Sequence, residues 1–213
     1  LLGKDDPIIF ELGAHHGYDT KGFLDLFPDI RIYSFEPDPR NIAIFRRYIN
    51  DDRCVLEEAA LSNYDGEANL YMSGGWPYPG PWPIVRLVQL LGLGNIYGMI
   101  CGLFQREAKE KKWTASSSIK KPVSRSKDYP WLTFDNVVTV KAVKLDTYVK
   151  RNNIVNVDFV WMDVQGAERD VIEGAVETLK MTRFVFTEYG ETSAYPEAMT
   201  RRETIRVMKE HNF

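Results

Sequence analysis

Three observations predict an α/β fold built on a mostly parallel sheet flanked by helices. Short β-rich runs alternate with helical stretches along most of the chain, the pattern of repeated βαβ units. The first apolar run enters a glycine-containing turn that opens a helix, Glu11-Leu12-Gly13-Ala14-His15-His16-Gly17. Acids recur at the ends of the apolar runs, at Glu11, Glu36, Asp163 and Glu188.

The elements follow in order. Ile8 to Leu12 is an apolar run of strand length. Gly17 to Phe27 carries Phe23, Leu26 and Phe27 at helical spacing, and Pro28 ends it. Arg31 to Glu36 reads as a second strand, stopped by Pro37, and Ile42, Phe45, Tyr48 and Ile49 mark the inner face of a second helix. Arg53 to Glu58 is the third strand. Asp65-Gly66 signals a turn before a strand over Glu67 to Met72. Val138, Val140 and Ala142 alternate with Thr139 and Lys141 as a further strand, and Leu145 to Asn152 is a short helix. Val157 to Met162 is a buried strand, with Ile172, Ala175 and Leu179 defining one helix behind it. Arg183 to Thr187 is the next strand, and Ile205 and Met208 belong to a last helix.

The rhythm breaks between Ser73 and Asn136. The run Gly74-Gly75-Trp76-Pro77-Tyr78-Pro79-Gly80-Pro81-Trp82-Pro83 excludes regular helix and central strand. Ile84 to Phe104 is very apolar, and Arg106 to Lys127 is basic and Ser-rich. The expected organisation is one domain over 1–213 with an insertion at about 74–136, a lid or acceptor-binding segment. For Ile84 to Phe104 the expectation is an active-site lid or dimer surface. Interfacial membrane contact is the alternative, and a spanning helix is weakened by Pro83, Arg86 and internal glycines. The basic residues Lys109, Lys111, Lys112, Lys120, Lys121, Arg125 and Lys127 read as a solvated loop, or more sharply as a contact for a phosphorylated glycan.

Composition bounds the class. The chain has 213 residues, 44% hydrophobic and 13% aromatic, which suits one domain with a proper core. A net charge of −3 and a pI near 5.7 lack the basic footprint of a nucleic-acid binder. Cys54 and Cys101 show no metal-ligand spacing and read as reduced thiols, so a cytoplasmic protein without a metal is expected. The sequence starts at Leu1 without a signal-peptide pattern and stops at Phe213 behind a helical pattern, as an excised domain would.

The cofactor can be narrowed by chemistry. A dinucleotide fingerprint needs glycine at positions 15 and 18, where His15 and Tyr18 stand and would block a pyrophosphate. Glu11 adds negative charge that disfavours phosphate and suits a cofactor with ammonium and sulfonium charges, as S-adenosylmethionine has. Glu36 follows Gly17 by 19 residues, the position of an acid that accepts hydrogen bonds from ribose hydroxyls. An apolar strand delivers Asp163 to the same edge, Gly166 turns the chain, and Glu168 lies in the first turn of the next helix. The four strand-end carboxylates are expected to converge on one crevice.

In order, these segments resemble the motifs of the FkbM family of methyltransferases: Glu11 to Thr20, Phe35-Glu36-Pro37, Ala60-Leu61-Ser62, Ser117-Ser118-Ile119, Leu145-Asp146-Thr147-Tyr148, Trp161 to Glu168, and Thr187-Glu188. The resemblance runs from residue 8 to about 190, leaving the insertion largely uncovered. It implies a Rossmann-like class I fold, S-adenosylmethionine as cofactor, and methyl transfer to a hydroxyl of a sugar, glycan or similar small acceptor. It also implies two further strands after the last helix. None follows Phe213 here, so the strand at 183–187 is expected to have its edge covered by the insertion, a partner chain such as a second copy, or chain continuing beyond 213, as in a fusion to other domains.

Carried over by position, the resemblance implies a cofactor site at Glu11, Gly13, Ala14, His15, Gly17, Thr20, Glu36, Pro37 and Ala60. The acceptor falls to Gln165, Glu168, Ser117 and Ser118, with Trp76, Trp82 and Trp113 offering flat faces for sugar rings. Asp163 is the first candidate for the base, Glu188 the second and His16 the third. Three positions depart from the family: His15 for Asn, Trp161 for Lys and Gln165 for Glu. The rival readings are a non-catalytic binding module on the same fold and a nicotinamide oxidoreductase.

Overall fold

The structure, a computed structural model, describes residues 2–75, 113–123, 131–190 and 194–213. Its centre is a five-stranded, wholly parallel sheet in the order β3-β2-β1-β7-β8. The strands are β1 Ile8–Leu12, β2 Arg31–Phe35, β3 Cys54–Glu57, β7 Val157–Met162 and β8 Thr182–Thr187. Helices α1 Tyr18–Leu26 and α2 Pro39–Tyr48 connect the first three strands. A second, three-stranded sheet is formed by β4 Ala60–Leu61, β6 Leu132–Val143 and β5 Gly66–Gly75, in that order. After it come α3 Leu145–Arg151, α4 Glu168–Glu173, α5 Val176–Lys180 and α6 Arg201–Glu210.

Both faces of the central sheet are covered, which explains why its strands read as near-continuous apolar runs. Phe10, Leu12, Phe35, Val160 and Met162 pack on one side with Tyr148, Val171 and Ile172. Ile9, Ile32 and Leu24 pack on the other with Phe45 and Ile49. Because the chain leaves β1 toward β2 on one side and β7 lies on the other, a crevice opens at the carboxyl ends of β1, β2 and β7. No described helix is long and apolar enough to cross a membrane.

Four details differ from the sequence reading. The buried face of α2 is Asn41 and Phe45, continuing to Ile49, while Tyr48 is exposed. The single helix expected behind β7 is two, with Gly174 between them, where a Cβ would lie 2.1 Å from the Ser62 carbonyl oxygen. In α6 the buried positions are Thr204, Val207 and Met208, and Ile205 faces solvent. The strands β5 and β6 form their own antiparallel pair and run into the expected insertion, to Gly75 and from Leu132. The Trp113 amide donates to the Gly75 carbonyl at 3.1 Å, so the chain between them leaves and returns at one point. Trp76, Trp82, Cys101, the apolar stretch 84–104 and most of the basic stretch lie outside the described residues.

Candidate active site

The turn after β1 is shaped by close backbone approach. Gly13 and Ala14 donate to the Phe35 carbonyl at 3.0 and 2.9 Å, and Asp163 donates to the Leu12 carbonyl at 2.9 Å. A Cβ on Gly13 would lie 1.9 Å from the Asp163 carbonyl oxygen, and its φ of +97° suits glycine alone. His15 sits at φ +50°. Asn, Asp and His tolerate that left-handed conformation best, a physical account of His where the family has Asn. Gly17 starts α1 at φ +84°, and a Cβ there would press on Ile49 and Phe45 at 2.7 and 2.9 Å.

Glu36 is the buried anchor of the first cavity. Its Oε2 accepts from the His15 amide at 2.8 Å, and its Oε1 accepts from the Asp38 amide at 2.8 Å and from Asn41 Nδ2 at 3.2 Å. Burial pushes its carboxyl up to about 7, against those hydrogen bonds. A carboxylate offers about four acceptor positions, so three bonds leave room for a ligand donor on Oε2. Beside it, Asn41 is 2% exposed and its Oδ1 is buried without a hydrogen bond. The amide lies near enough to the His16 ring to favour its protonated form, yet no bond of proper geometry reaches Oδ1.

A cavity of about 190 Å³ opens here, lined by Gly13, Ala14, His15, Glu36, Pro37 and Asn41 on the polar side and by Ala60, Leu61, Leu70 and Ile119 on the apolar side. The segment 113–120 crosses its mouth. Thr114 Oγ1 is 3.0 Å from His15 Nε2, and the Thr114 carbonyl accepts from Asn41 Nδ2 at 3.4 Å. Ser117 Oγ donates to Asp38 Oδ2 at 2.7 Å and accepts from the Ser73 amide at 3.0 Å. Burial opposes ionisation of Asp38, but its bonds to Arg40 and Ser117 hold the carboxyl below the usual range. Ser118 pairs with Tyr71 through two backbone hydrogen bonds. Both serines therefore line the first cavity rather than the expected acceptor site.

Other sequence-predicted cofactor residues lie behind this wall. Glu11 points to the same face as Ile9, under α1, because side chains alternate along a strand. There its Oε2 accepts from Thr20 Oγ1 at 2.5 Å and Ser34 Oγ at 2.6 Å, and burial pushes the carboxyl up to about 7. Glu11, Gly17 and Thr20 thus hold α1 in place and do not line the cavity. Four carboxylates do not converge, because Glu11 is turned away.

A second cavity of about 470 Å³ adjoins the first. Trp113, Trp131, Tyr189 and Tyr195 give it aromatic walls, and Asp163, Glu168 and Glu188 give it carboxylates. Asp163, Gln165 and Ala115 line both cavities. Asp163 Oδ1 accepts from Gln165 Nε2 at 2.6 Å, and burial raises the carboxyl despite that bond. Glu168 accepts from the Gly166 amide at 3.1 Å. Glu188 is raised by burial and by the charges of Asp163 and Glu168. Gly166, at φ +94°, receives Tyr195 where a Cβ would lie 2.8 Å from the Tyr195 Cβ and 3.0 Å from its ring, and the Tyr195 hydroxyl donates to the Ser116 carbonyl.

His16 lines neither cavity: its ring stacks on His15 with centroids 3.7 Å apart. Burial lowers its pKa and its Nε2 is 3.4 Å from Thr114 Oγ1, so it stands apart from the walls of the second cavity where a base is needed. Lys120 is taken up by Asp170 and Glu197 at 2.8 and 2.9 Å, so it is not held ready for a glycan phosphate. The reading missed Asp38, Asn41, Thr114, Ala115, Trp131, Tyr189 and Tyr195. Asp38-Pro39 carried an N-cap signal that would have placed Asp38 and the buried turn behind it. Tyr195 carries no local signal, because it reaches the site from a loop after β8.

The model of the family described as methyltransferase FkbM domain matches residues 11–213. A 2-O-methyltransferase, NoeI of Sinorhizobium fredii (strain NBRC 101917 / NGR234), is 32% identical over 209 residues, covering 98% of this chain and 73% of that protein. The crystal structure of methyltransferase FkbM from Methylobacillus flagellatus KT aligns at 13% identity with a TM-score of 0.42. That alignment covers 83% of this chain, which spans 30% of the other.

Proposed function

The chain belongs to the FkbM methyltransferase family, and from that premise we propose that it is an S-adenosylmethionine-dependent O-methyltransferase acting on a hydroxyl of a sugar or similar neutral polyol. The observation that carries the reading is the position of Asp163, which lines both cavities. A hydroxyl held in the second cavity meets that carboxylate where the first cavity opens.

The first cavity suits the cofactor by the hydrogen-bond acceptors it offers. The open position on Glu36 and the orphaned Asn41 Oδ1 are buried acceptors awaiting hydroxyl or amino donors, and Ala60, Leu61 and Ile119 offer a flat apolar wall to a purine. Glu36, with the backbone of Gly13 to His15, would hold the ribose. S-adenosylmethionine supplies, when bound, a methyl group already activated by its sulfonium.

What remains for the protein is alignment and proton removal. Asp163 takes the acceptor hydroxyl proton. Its Oδ1 is held by the Gln165 side-chain amide at 2.6 Å. Trp113 and Trp131, with ring centroids 5.4 Å apart, present an aromatic corner to a sugar ring. The described walls of the second cavity hold three carboxylates and no Lys or Arg, which supports a neutral acceptor over a phosphate-bearing one. NoeI is named for 2-O-methyl transfer, and its similarity supports oxygen as the methylated atom.

The test is incubation with methyl-labelled S-adenosylmethionine and a panel of neutral and phosphorylated oligosaccharides, followed by mass spectrometry. The reading expects label on a hydroxyl of a neutral sugar. Cofactor binding by calorimetry with no label on any acceptor would favour a non-catalytic binding module instead.

A further inference from the structure

Gln165 stands where two cavities meet, and its conformation is unusual. Its φ is +53°, a left-handed backbone that a residue with a Cβ adopts only where its surroundings enforce it. The enforcing contacts are on either side. Asp163 is tied to Leu12, Ala167 donates back to the Val164 carbonyl at 3.3 Å, Gly166 donates to Glu168, and the Tyr195 ring lies on Gly166. The result is a tight turn that returns the Gln165 side chain over the residue two before it, with Nε2 2.6 Å from Asp163 Oδ1.

We propose that Gln165 is a positioning residue for Asp163: its side-chain amide fixes one carboxylate oxygen and keeps the other at the junction of the two cavities. This assignment rests on the reading of Asp163 as the base. It adds to the acceptor contact expected for Gln165 from the sequence, since Gln165 also lines the second cavity. The amide can donate only one hydrogen in the direction of Asp163, and the short bond shows where that hydrogen goes.

The surroundings make an amide the fitting choice. The charged and titratable groups facing Asp163 are Asp19 from α1, Glu168 from α4, Glu188 after β8 and Tyr195 from the loop before α6. None brings positive charge, and among the described residues no Lys or Arg lines either cavity. The Gln165 amide is therefore the side-chain hydrogen bond that favours the ionised form of Asp163. A glutamate at 165 would remove that donor and add one more carboxylate to a crowded set.

The decisive measurement, a titration, needs no acceptor. The carboxyl carbon of Asp163 is followed by NMR in the ¹³C-labelled protein, its signal assigned by its loss in Asp163→Asn. Gln165→Glu and Gln165→Gly are compared with the parent, and glycine tolerates the φ at 165, so one variant is free of backbone strain. The titration midpoint of Asp163 should rise by about one pH unit or more in both. An unchanged midpoint in both folded variants, checked by thermal melts, would overturn the assignment. Retention of turnover by Asp163→Asn would instead remove Asp163 as the base while leaving the NMR result to stand, so the two failures are told apart.

Discussion

Glu36→Gln tests the cofactor cavity most sharply, because the parent carboxylate is already nearly saturated. Its oxygens accept from two backbone amides and from Asn41. Gln keeps the volume but turns one acceptor into a donor, so either His15 or the Asp38–Asn41 pair faces a like group. A hydrogen bond from ligand to a charged acceptor contributes about 1.5–3 kcal/mol, so S-adenosylmethionine should bind about 10- to 150-fold more weakly. The pH dependence follows from the same burial. Glu36 is pushed up to about 7 and accepts a ligand hydroxyl best when ionised, so parental affinity should weaken toward a limit of about tenfold per pH unit below 7. The assay is titration calorimetry at pH 6, 7 and 8, with thermal melts to confirm that the variant is folded. In Glu36→Gln the affinity should be low and flat with pH over that range. Unchanged affinity in the variant, or a parental affinity that does not vary with pH, would remove Glu36 from the cofactor site.

The same structure supports further tests. Gly13→Ala should destabilise the protein by at least about 1–2 kcal/mol from its left-handed backbone alone, and by more from the 1.9 Å overlap with the Asp163 carbonyl; a melt within 1 °C of the parent would contradict that packing. Glu11→Gln should leave stability nearly unchanged at pH 4 and raise it by on the order of 2–3 kcal/mol at pH 8, since a buried acid raised to about 7 makes folding less favourable as pH climbs from about 4.5 to 7. A glutamine carbonyl can accept from both Thr20 and Ser34, which donate to a single oxygen, so equal destabilisation at both pH values would refute the argument. Replacing residues 76–112 by a short turn should give a folded protein that binds cofactor and has lost acceptor turnover, because Gly75 and Trp113 already touch. Full turnover by that variant would show that the acceptor never meets the segment.

The strands were legible because a parallel sheet buried on both faces needs near-continuous apolar runs, and Ile8–Leu12 and Val157–Met162 are such runs, each interrupted by one acid, Glu11 and Asp158. The glycine at 13 was legible because the turn's close backbone approach restricts that position to glycine, and Glu36 because an acid closing an apolar strand stands out in the sequence. What the sequence hid was direction. Glu11 and Leu12 are neighbours on one strand, and only the pleat decides that Glu11 points under α1 while its successor packs against Tyr148 and Phe35. Hydrophobic spacing gave Tyr48 to the core of α2 and missed Asn41, since a buried amide serving Glu36 has no apolar signature. The second cavity was hidden further, because Trp113, Trp131 and Tyr195 come together from segments far apart in the chain.

Proton removal at the meeting point of the two cavities is the central claim, and Asp163→Asn addresses it directly. Asn keeps the size and can still meet the Gln165 amide through its carbonyl oxygen, so the turn and the cofactor cavity should survive. Turnover is measured with the oligosaccharide that the parent methylates, alongside cofactor binding by calorimetry. Methyl transfer should fall about 10²- to 10⁴-fold with S-adenosylmethionine still bound. Turnover within tenfold of the parent would contradict it and move the search for the base to Glu188, the next carboxylate on the same cavity wall.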